Sequence, residues 1–97
     1  MKVKFSKLAW LEFQESIVFY EFEMKGLGDR FKQDVYEMLE IIAQFPLMGQ
    51  VESKRIRRMM LMSFPFKILY AFVDNIVYIV AIASQHRRPD YWVERSL

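Results

Sequence analysis

Two strongly apolar runs lie near the end of the chain, KILYAFV at residues 67–73 and IVYIVAIA at residues 76–83, and only Asp74 and Asn75 separate them. Apolar residues fill both alternating sets of positions in each run, which predicts strands that are covered on both faces at the centre of a sheet. Asp and Asn are typical of a tight turn between strands. The chain is therefore predicted to build a sheet around these strands, with a helix pair on one face and another element, for which the C-terminal tail is the candidate, on the other.

The N-terminal residues have the signals of a short strand followed by a helix. Val3 and Phe5 alternate with lysines, which indicates a strand with one buried face. Ser6 is suited to cap a helix over residues 7–25, where apolar residues recur at three- and four-residue spacing. The glycines at residues 26–28 are predicted to end this helix, because glycine accepts the left-handed conformation found at helix C-termini.

A second helix and a further strand complete the predicted fold. Asp29 is expected to cap the second helix, and Pro46 and Gly49 to stop it. Residues 51–62 are β-prone and are predicted to form one strand. The layout is β-α-α-β-β-β, a single α+β domain over residues 1–97 with an N-terminal helical hairpin packed on a mostly antiparallel four-stranded sheet.

Composition limits the chemistry of this domain. The chain of 97 residues has 54% apolar residues, no cysteine and one histidine. Disulfides and a zinc site are therefore not expected, and the prediction is a protein without metal or cofactor. The N-terminus is too interrupted by charge for a signal peptide, and no stretch approaches the roughly 18 apolar residues of a membrane span. We expect a soluble, cytoplasmic protein that does not act at a membrane.

Positive charge is concentrated in the second half of the chain. Residues 1–48 contain six Lys or Arg and eight Asp or Glu, whereas residues 49–97 contain eight and four. Much of the excess lies in two clusters, KRIRR at residues 54–58 and HRR at residues 86–88. Either the clusters form a solvated basic surface, or the second half of the chain binds an anionic partner.

Five segments, in this order along the chain, resemble the RelE/ParE superfamily of bacterial toxins: GLGDRF, FPLMG, RIRRM, SFPFKILYAF and HRRPDYWVER. The resemblance extends from Phe5 to Arg95, and the sequence is most similar to the ParE-like, plasmid stabilisation branch. It implies the toxin of a type II toxin–antitoxin system, which inhibits growth and forms a hetero-oligomer with a cognate antitoxin that neutralises it.

The superfamily contains two activities, and the resemblance leaves both open. ParE-like members inhibit DNA gyrase and need no catalytic group, whereas RelE-like members cut mRNA on the ribosome without a metal. The favoured interpretation is a ParE-like toxin of undetermined target, with gyrase as a candidate. The alternative is a RelE-type endoribonuclease, and the third option is an inactive or plain nucleic-acid-binding module.

Metal-free RNA cleavage needs cations around the phosphorus and groups that move protons. Arg58, Lys67, Arg87 and Arg88 are the candidates for holding phosphate, since they match positions that are basic in the superfamily. His86 is the candidate for proton transfer, and Tyr91 is the candidate equivalent of a tyrosine in the RNA-cutting branch or a stacking platform for a base. A second strand lysine of the RelE branch is replaced here by Met60, which favours the ParE-like interpretation.

Other basic residues are candidates for nucleic-acid or partner binding without catalysis: Arg55, Arg57 and Arg95. Successive strand residues point to opposite faces, so Arg57 and Arg58 are not expected to reach the same pocket. Trp92 is assigned first to the core, where its ring would close the open face of the sheet.

Overall fold

The two apolar runs pair with each other inside a five-stranded sheet in the computed structural model, which describes residues 2–95. Along the chain the elements are β1 (Lys2–Phe5), α1 (Lys7–Glu23), α2 (Leu27–Gln44), β2 (Gln50–Ser53), β3 (Ile56–Met60), β4 (Phe66–Val73) and β5 (Ile76–Ser84). Across the sheet the order is β1-β5-β4-β3-β2, with β1 parallel to β5 and the other neighbours antiparallel. The α+β class is confirmed, and β4 and β5 lie inside the sheet as predicted.

The sheet differs from the prediction in strand number and in direction. The expected single strand over residues 51–62 is instead the β2–β3 hairpin, because Lys54 adopts a left-handed conformation with φ 47° and the chain reverses there. The layout is therefore β-α-α-β-β-β-β. In addition, β1 runs parallel to β5, which the long connection through the helix pair and β2–β4 makes possible, since parallel neighbours need a long crossover. The sheet is mixed rather than mostly antiparallel and four-stranded.

The turn between β4 and β5 matches the prediction. Asp74 and Asn75 have φ of 52° and 61°, and a two-residue turn with positive φ at both positions has the twist that continues an antiparallel hairpin. Asp and Asn tolerate this conformation better than other residues that carry a Cβ. The turn thus sets the pairing from Val73↔Ile76 to Tyr70↔Ile79, and beyond it the register shifts by one residue between Leu69 and Tyr70.

The start of α1 agrees with the prediction, but the junction between the helices does not. The Ser6 hydroxyl accepts a hydrogen bond from the Ala9 N–H at 3.0 Å and caps α1. Asp29 does not cap α2, because that helix begins earlier and Asp29 lies in its first turn. The Glu21 carboxylate of α1 takes the capping role by accepting from the N–H groups of Gly26 and Gly28.

Gly28 lies inside α2, where it allows the two helices to approach closely. A Cβ at this position would lie 2.6 Å from the carbonyl oxygen of Ile17 on α1. Gly28, which was predicted to end the first helix, is therefore a packing residue of the helical hairpin.

The sheet is covered on both faces, as predicted. Both helices pack on one face, where the core includes Phe13, Phe31, Ile68 and Tyr70. On the other face Trp92 of the C-terminal tail, residues 85–95, packs on a smaller apolar cluster. None of the helices within residues 2–95 has the length and apolarity needed to cross a bilayer.

Candidate functional site

The C-terminal tail closes the second face of the sheet through Trp92. This side chain is 4% exposed and belongs to a cluster of small and aliphatic residues: Ile56, Leu69, Ala71, Val80, Ala81 and Ala83. The alanines leave space for a large ring on that face, so the assignment of Trp92 to the core is confirmed. The indole N–H is buried without a hydrogen-bond partner in the protein. The tail that follows β5 is therefore a packed element with a fixed path.

Glu12 of α1 holds the tail in place, although its role was not predicted from the sequence. Its carboxylate accepts from the Tyr91 hydroxyl at 2.6 Å and from the Arg95 guanidinium at 2.8 and 2.9 Å. The same carboxylate accepts from the N–H of Ile82 on β5 at 3.1 Å. We call Glu12, Tyr91 and Arg95 the tail clamp, because they connect the first helix, the sheet and the tail.

The clamp keeps Tyr91 in its neutral, proton-donating form. Burial raises the pKa of Tyr91 above its ordinary value, and the hydrogen bond to Glu12 and the charge of that carboxylate raise it further. The guanidinium of Arg87 lies 3.9 Å from the centre of the Tyr91 ring, and that of Arg95 lies 5.0 Å away. A ring already in contact with Arg87, whose hydroxyl donates to Glu12, is poorly placed to act as a base or to stack on a nucleobase.

Arg95 is committed to the same clamp. Its side chain is 14% exposed, and it donates to Glu12 and to the carbonyl oxygen of Val80 at 3.0 Å. The hydrogen bond to Glu12 raises its pKa. The structure thus gives this predicted partner-binding residue an internal role.

Four of the predicted cationic side chains line one open groove beside the tail: Arg58, Lys67, Arg87 and Arg88. Strand alternation brings the first two together, because Arg58 lies opposite Leu69 and Lys67 lies opposite Met60 on the face that Trp92 covers. The last two come from the start of the tail. The groove has a volume of about 350 Å³, and Tyr91 and Trp92 also border it. We call it the basic groove.

Two carboxylates offset part of the positive charge in the basic groove: Glu52 and Asp90. Glu52 accepts from Arg58 at 3.1 Å and lies 3.5 Å from the Lys67 ammonium. It occupies a β-bulge of β2, where the register shifts between Val51 and Ser53. Sequence reasoning missed Glu52, because a bulge that redirects one side chain leaves no periodic signal.

Arg57 lies on the opposite face from Arg58, as predicted. Its guanidinium donates to the carbonyl oxygens of Leu47 at 3.1 Å and Gly49 at 2.8 Å. These bonds fix the segment that leads from α2 into β2. Arg55 lies at the exposed β2–β3 turn and borders a separate pocket with Lys54 and Arg95. Of the three arginines at residues 55–58, only Arg58 lines the basic groove.

His86 is not part of the basic groove. It is exposed at the end of β5 and lines a second groove, of about 420 Å³, next to Glu12, Glu15 and Phe19 of α1. Arg87 lies between the two grooves and borders both. The one histidine of the chain therefore shares a groove with Arg87 but not with Arg58, Lys67 or Arg88. Among residues 2–95 there is no group of three acidic or histidine side chains that could hold a metal ion.

The outer face of α1 is apolar and exposed. Leu8, Leu11, Val18 and Phe22 follow one another at three- to seven-residue spacing on the side away from the sheet, and Phe22 is 88% exposed. Glu15 interrupts this stripe near its middle. Adjacent exposed apolar side chains of this extent are typical of a surface that meets another protein.

Solved structures of toxin–antitoxin proteins share this fold at low sequence identity. A chromosomal ParDE toxin–antitoxin system from P. aeruginosa matches with a TM-score of 0.77 and 18% identity, over 87% of this chain and 95% of that one. The intact E. coli RelBE toxin–antitoxin complex matches with a TM-score of 0.68 and 14% identity, over 89% and 98%. The isolated E. coli RelE toxin matches with a TM-score of 0.68 and 15% identity, over 93% and 89%.

No family model matches the sequence. No curated protein matches it significantly. The structural similarity alone establishes that this chain has the α+β fold of the ParE and RelE toxins, which is the fold expected from the sequence resemblance.

Proposed function

We propose that this chain is the toxin of a type II toxin–antitoxin pair, which acts in the cytoplasm and is neutralised by a cognate antitoxin. The observation that carries the proposal is the basic groove on a RelE/ParE fold. Arg58, Lys67, Arg87 and Arg88 converge there from two strands and the tail. Four cations facing one open groove suit a large anionic target, since guanidinium groups pair with phosphate and carboxylate oxygens.

A ParE-like toxin that acts by binding is favoured over a nuclease, with DNA gyrase as the candidate target. RNA cleavage without a metal requires a base for the 2′-hydroxyl and an acid for the leaving oxygen. The Tyr91 hydroxyl donates a hydrogen bond to Glu12 and its pKa is raised, and His86 lines the other groove. Tyr91 is therefore committed to the tail clamp and His86 lies outside the basic groove, whereas the four cations needed for binding lie together there.

The second candidate is a RelE-type mRNA endonuclease on the ribosome, and one observation favours it. Arg58, Lys67 and Arg87 line the same groove, which is what charge stabilisation at a reacting phosphate would require. If RNA is cut, replacing any one of them by alanine should lower cleavage by roughly 10²-fold or more. If the toxin acts by binding, the same change should cost only about 1–2 kcal/mol and leave graded toxicity.

The apolar stripe on α1 supports an antitoxin partner. Covering Leu8, Leu11, Val18 and Phe22 requires an amphipathic segment, and the exposed Glu15 within the stripe favours a segment with a basic residue opposite it. A second copy of this chain fits less well, because antiparallel pairing of two α1 helices would bring the two Glu15 side chains together. The complex with the antitoxin should bury more than about 1,000 Å².

The experiment is inducible expression in the native host, alone and together with the neighbouring small gene. The chain alone should arrest growth, and the neighbouring protein should relieve the arrest. Primer extension on translated messages and a gyrase supercoiling assay then separate the two activities. Inhibited supercoiling with intact messages supports the favoured activity, and cleavage within codons supports the alternative. Unchanged growth would contradict the toxin proposal and favour an inactive or plain nucleic-acid-binding module.

A further inference from the structure

Glu52 occupies the centre of the cationic pair that the basic groove offers to a ligand. The Arg58 guanidinium donates to its carboxylate at 3.1 Å, and the Lys67 ammonium lies 3.5 Å from the same oxygen. The Glu52 side chain is 17% exposed, less than either cation at 35% and 26%. Arg58 and Lys67 therefore already share one anionic partner in the free protein, and that partner is the Glu52 carboxylate.

The strand pairing does not depend on Glu52. In β2, Gln50 pairs with Arg58 and Val51 pairs with Arg57, whereas Glu52 is the bulge residue between two registers of the ladder. A bulge directs its side chain away from the regular alternation, and such features concentrate next to functional sites. The backbone ladder of the β2–β3 hairpin can persist without this carboxylate.

Two further cations line the basic groove but do not contact the Glu52 carboxylate. Arg87 and Arg88 border the same groove, and neither forms an ion pair with Glu52 among residues 2–95. A ligand with negative charges repeated along its length could contact the pair and these arginines at once. A phosphodiester chain has this property, and each of its groups presents the oxygens that arginine forks recognise.

We propose that Glu52 is an internal competitor for the basic groove, and that a single-stranded phosphodiester ligand binds by displacing its carboxylate from Arg58 and Lys67. In the free protein the carboxylate holds the two cations in place and lowers the affinity of the groove for external anions. The inference deepens the second candidate function, in which the groove receives RNA, and rests on it for the biological role of the groove. Its test does not require toxicity.

The test is fluorescence anisotropy of a labelled 2′-O-methyl oligoribonucleotide, which cannot be cleaved, titrated with the full chain. Glu52→Gln should raise the affinity by about tenfold, because it removes a competing charge in direct contact with both cations. The same change should steepen the slope of the logarithm of the binding constant against the logarithm of salt concentration by about 0.7 for each cation that becomes able to contact a phosphate. Glu40→Gln, the same change at an exposed position of α2, should alter affinity by less than about twofold.

Two additional variants and a polyglutamate peptide test the inference further. Glu52→Asp retains the charge on a shorter side chain and should give a smaller gain, and circular dichroism confirms that each variant is folded. Adding Lys67→Gln to Glu52→Gln should reverse the gain. Unchanged or weaker binding by folded Glu52→Gln would overturn the inference, as would a polyglutamate peptide that binds as tightly as the oligonucleotide. Growth that continues during expression would contradict the toxin proposal and leave this result standing.

Discussion

Removal of the Glu12 carboxylate should detach the C-terminal tail and destabilise the fold. Glu12 accepts from the Tyr91 hydroxyl, the Ile82 N–H and the Arg95 guanidinium at 2.6–3.1 Å. Glu12→Ala leaves Arg95 as a 14% exposed cation without its carboxylate. Breaking a buried ion pair in this way costs about 3–5 kcal/mol, and partial exposure of both groups places the expected loss near the lower end, at about 3 kcal/mol.

Urea unfolding measures this loss, and tryptophan emission reports the tail. The chain has two tryptophans, so a Trp10→Phe background leaves Trp92, which belongs to the tail and is buried against the sheet, as the single reporter. Glu12→Ala should lower the free energy of unfolding by about 3 kcal/mol and shift native Trp92 emission to the red. Glu12→Gln, which keeps an acceptor but loses the charge, should cost about 1–2 kcal/mol.

The matched control is Glu15→Ala on the same helix. Glu15 is exposed and forms no ion pair within the described residues, so its removal should change stability by less than about 0.5 kcal/mol. If Glu12→Ala and Glu15→Ala have the same effect, the tail is not held by the clamp. An unshifted Trp92 emission in Glu12→Ala would refute the link between the clamp and the tail even if stability fell.

Three further predictions concern pH, helix packing and the loop before β2. The pKa of Tyr91 is raised in the folded state, so the stability that the neutral hydroxyl contributes is fully present below about pH 10 and is lost as the pH rises above that value. Tyr91→Phe should therefore flatten the alkaline decline in the free energy of unfolding. Urea unfolding between about pH 9 and 11 measures this decline. Gly28→Ala should cost about 1–3 kcal/mol by forcing α1 and α2 apart, whereas Gly26→Asn at the left-handed junction should be nearly neutral, as thermal unfolding of both would show. Tyr70→Phe removes a buried hydroxyl that donates to the Pro46 carbonyl oxygen at 2.8 Å and accepts from the Gly49 N–H at 3.1 Å, and a loss of about 1–3 kcal/mol is expected; a loss under about 0.5 kcal/mol would contradict these bonds.

The parts of the fold that were predictable from the sequence depend on neighbours along the chain. The β4–β5 hairpin follows from two apolar runs and the turn at Asp74 and Asn75, and the start of α1 follows from Ser6. Strand alternation was enough to separate Arg57 from Arg58. In each case the signal lies within a few residues, where periodicity and capping act directly.

The parts that were missed depend on long-range pairing or on local exceptions to periodicity. Lys54 in a left-handed conformation divides one β-prone segment into two strands. Lysine is not a residue type that predicts this conformation, so the turn had no signal in the sequence. Glu12 meets Tyr91 across 79 residues of sequence, so no local pattern indicates the clamp. Glu52 enters the basic groove only because of a bulge. The cations of the groove were named in advance, but the Glu52 carboxylate that contacts two of them was not.

The central claim, that the basic groove is the surface through which the chain acts, is tested most directly by growth arrest with charge-matched double variants. Arg58→Gln with Lys67→Gln removes two cations from the groove, and Arg30→Gln with Lys32→Gln removes two exposed cations from α2. At equal levels of folded protein, the groove variant should permit growth and the α2 variant should arrest it as the unmodified chain does. Equal arrest by both variants would contradict the claim.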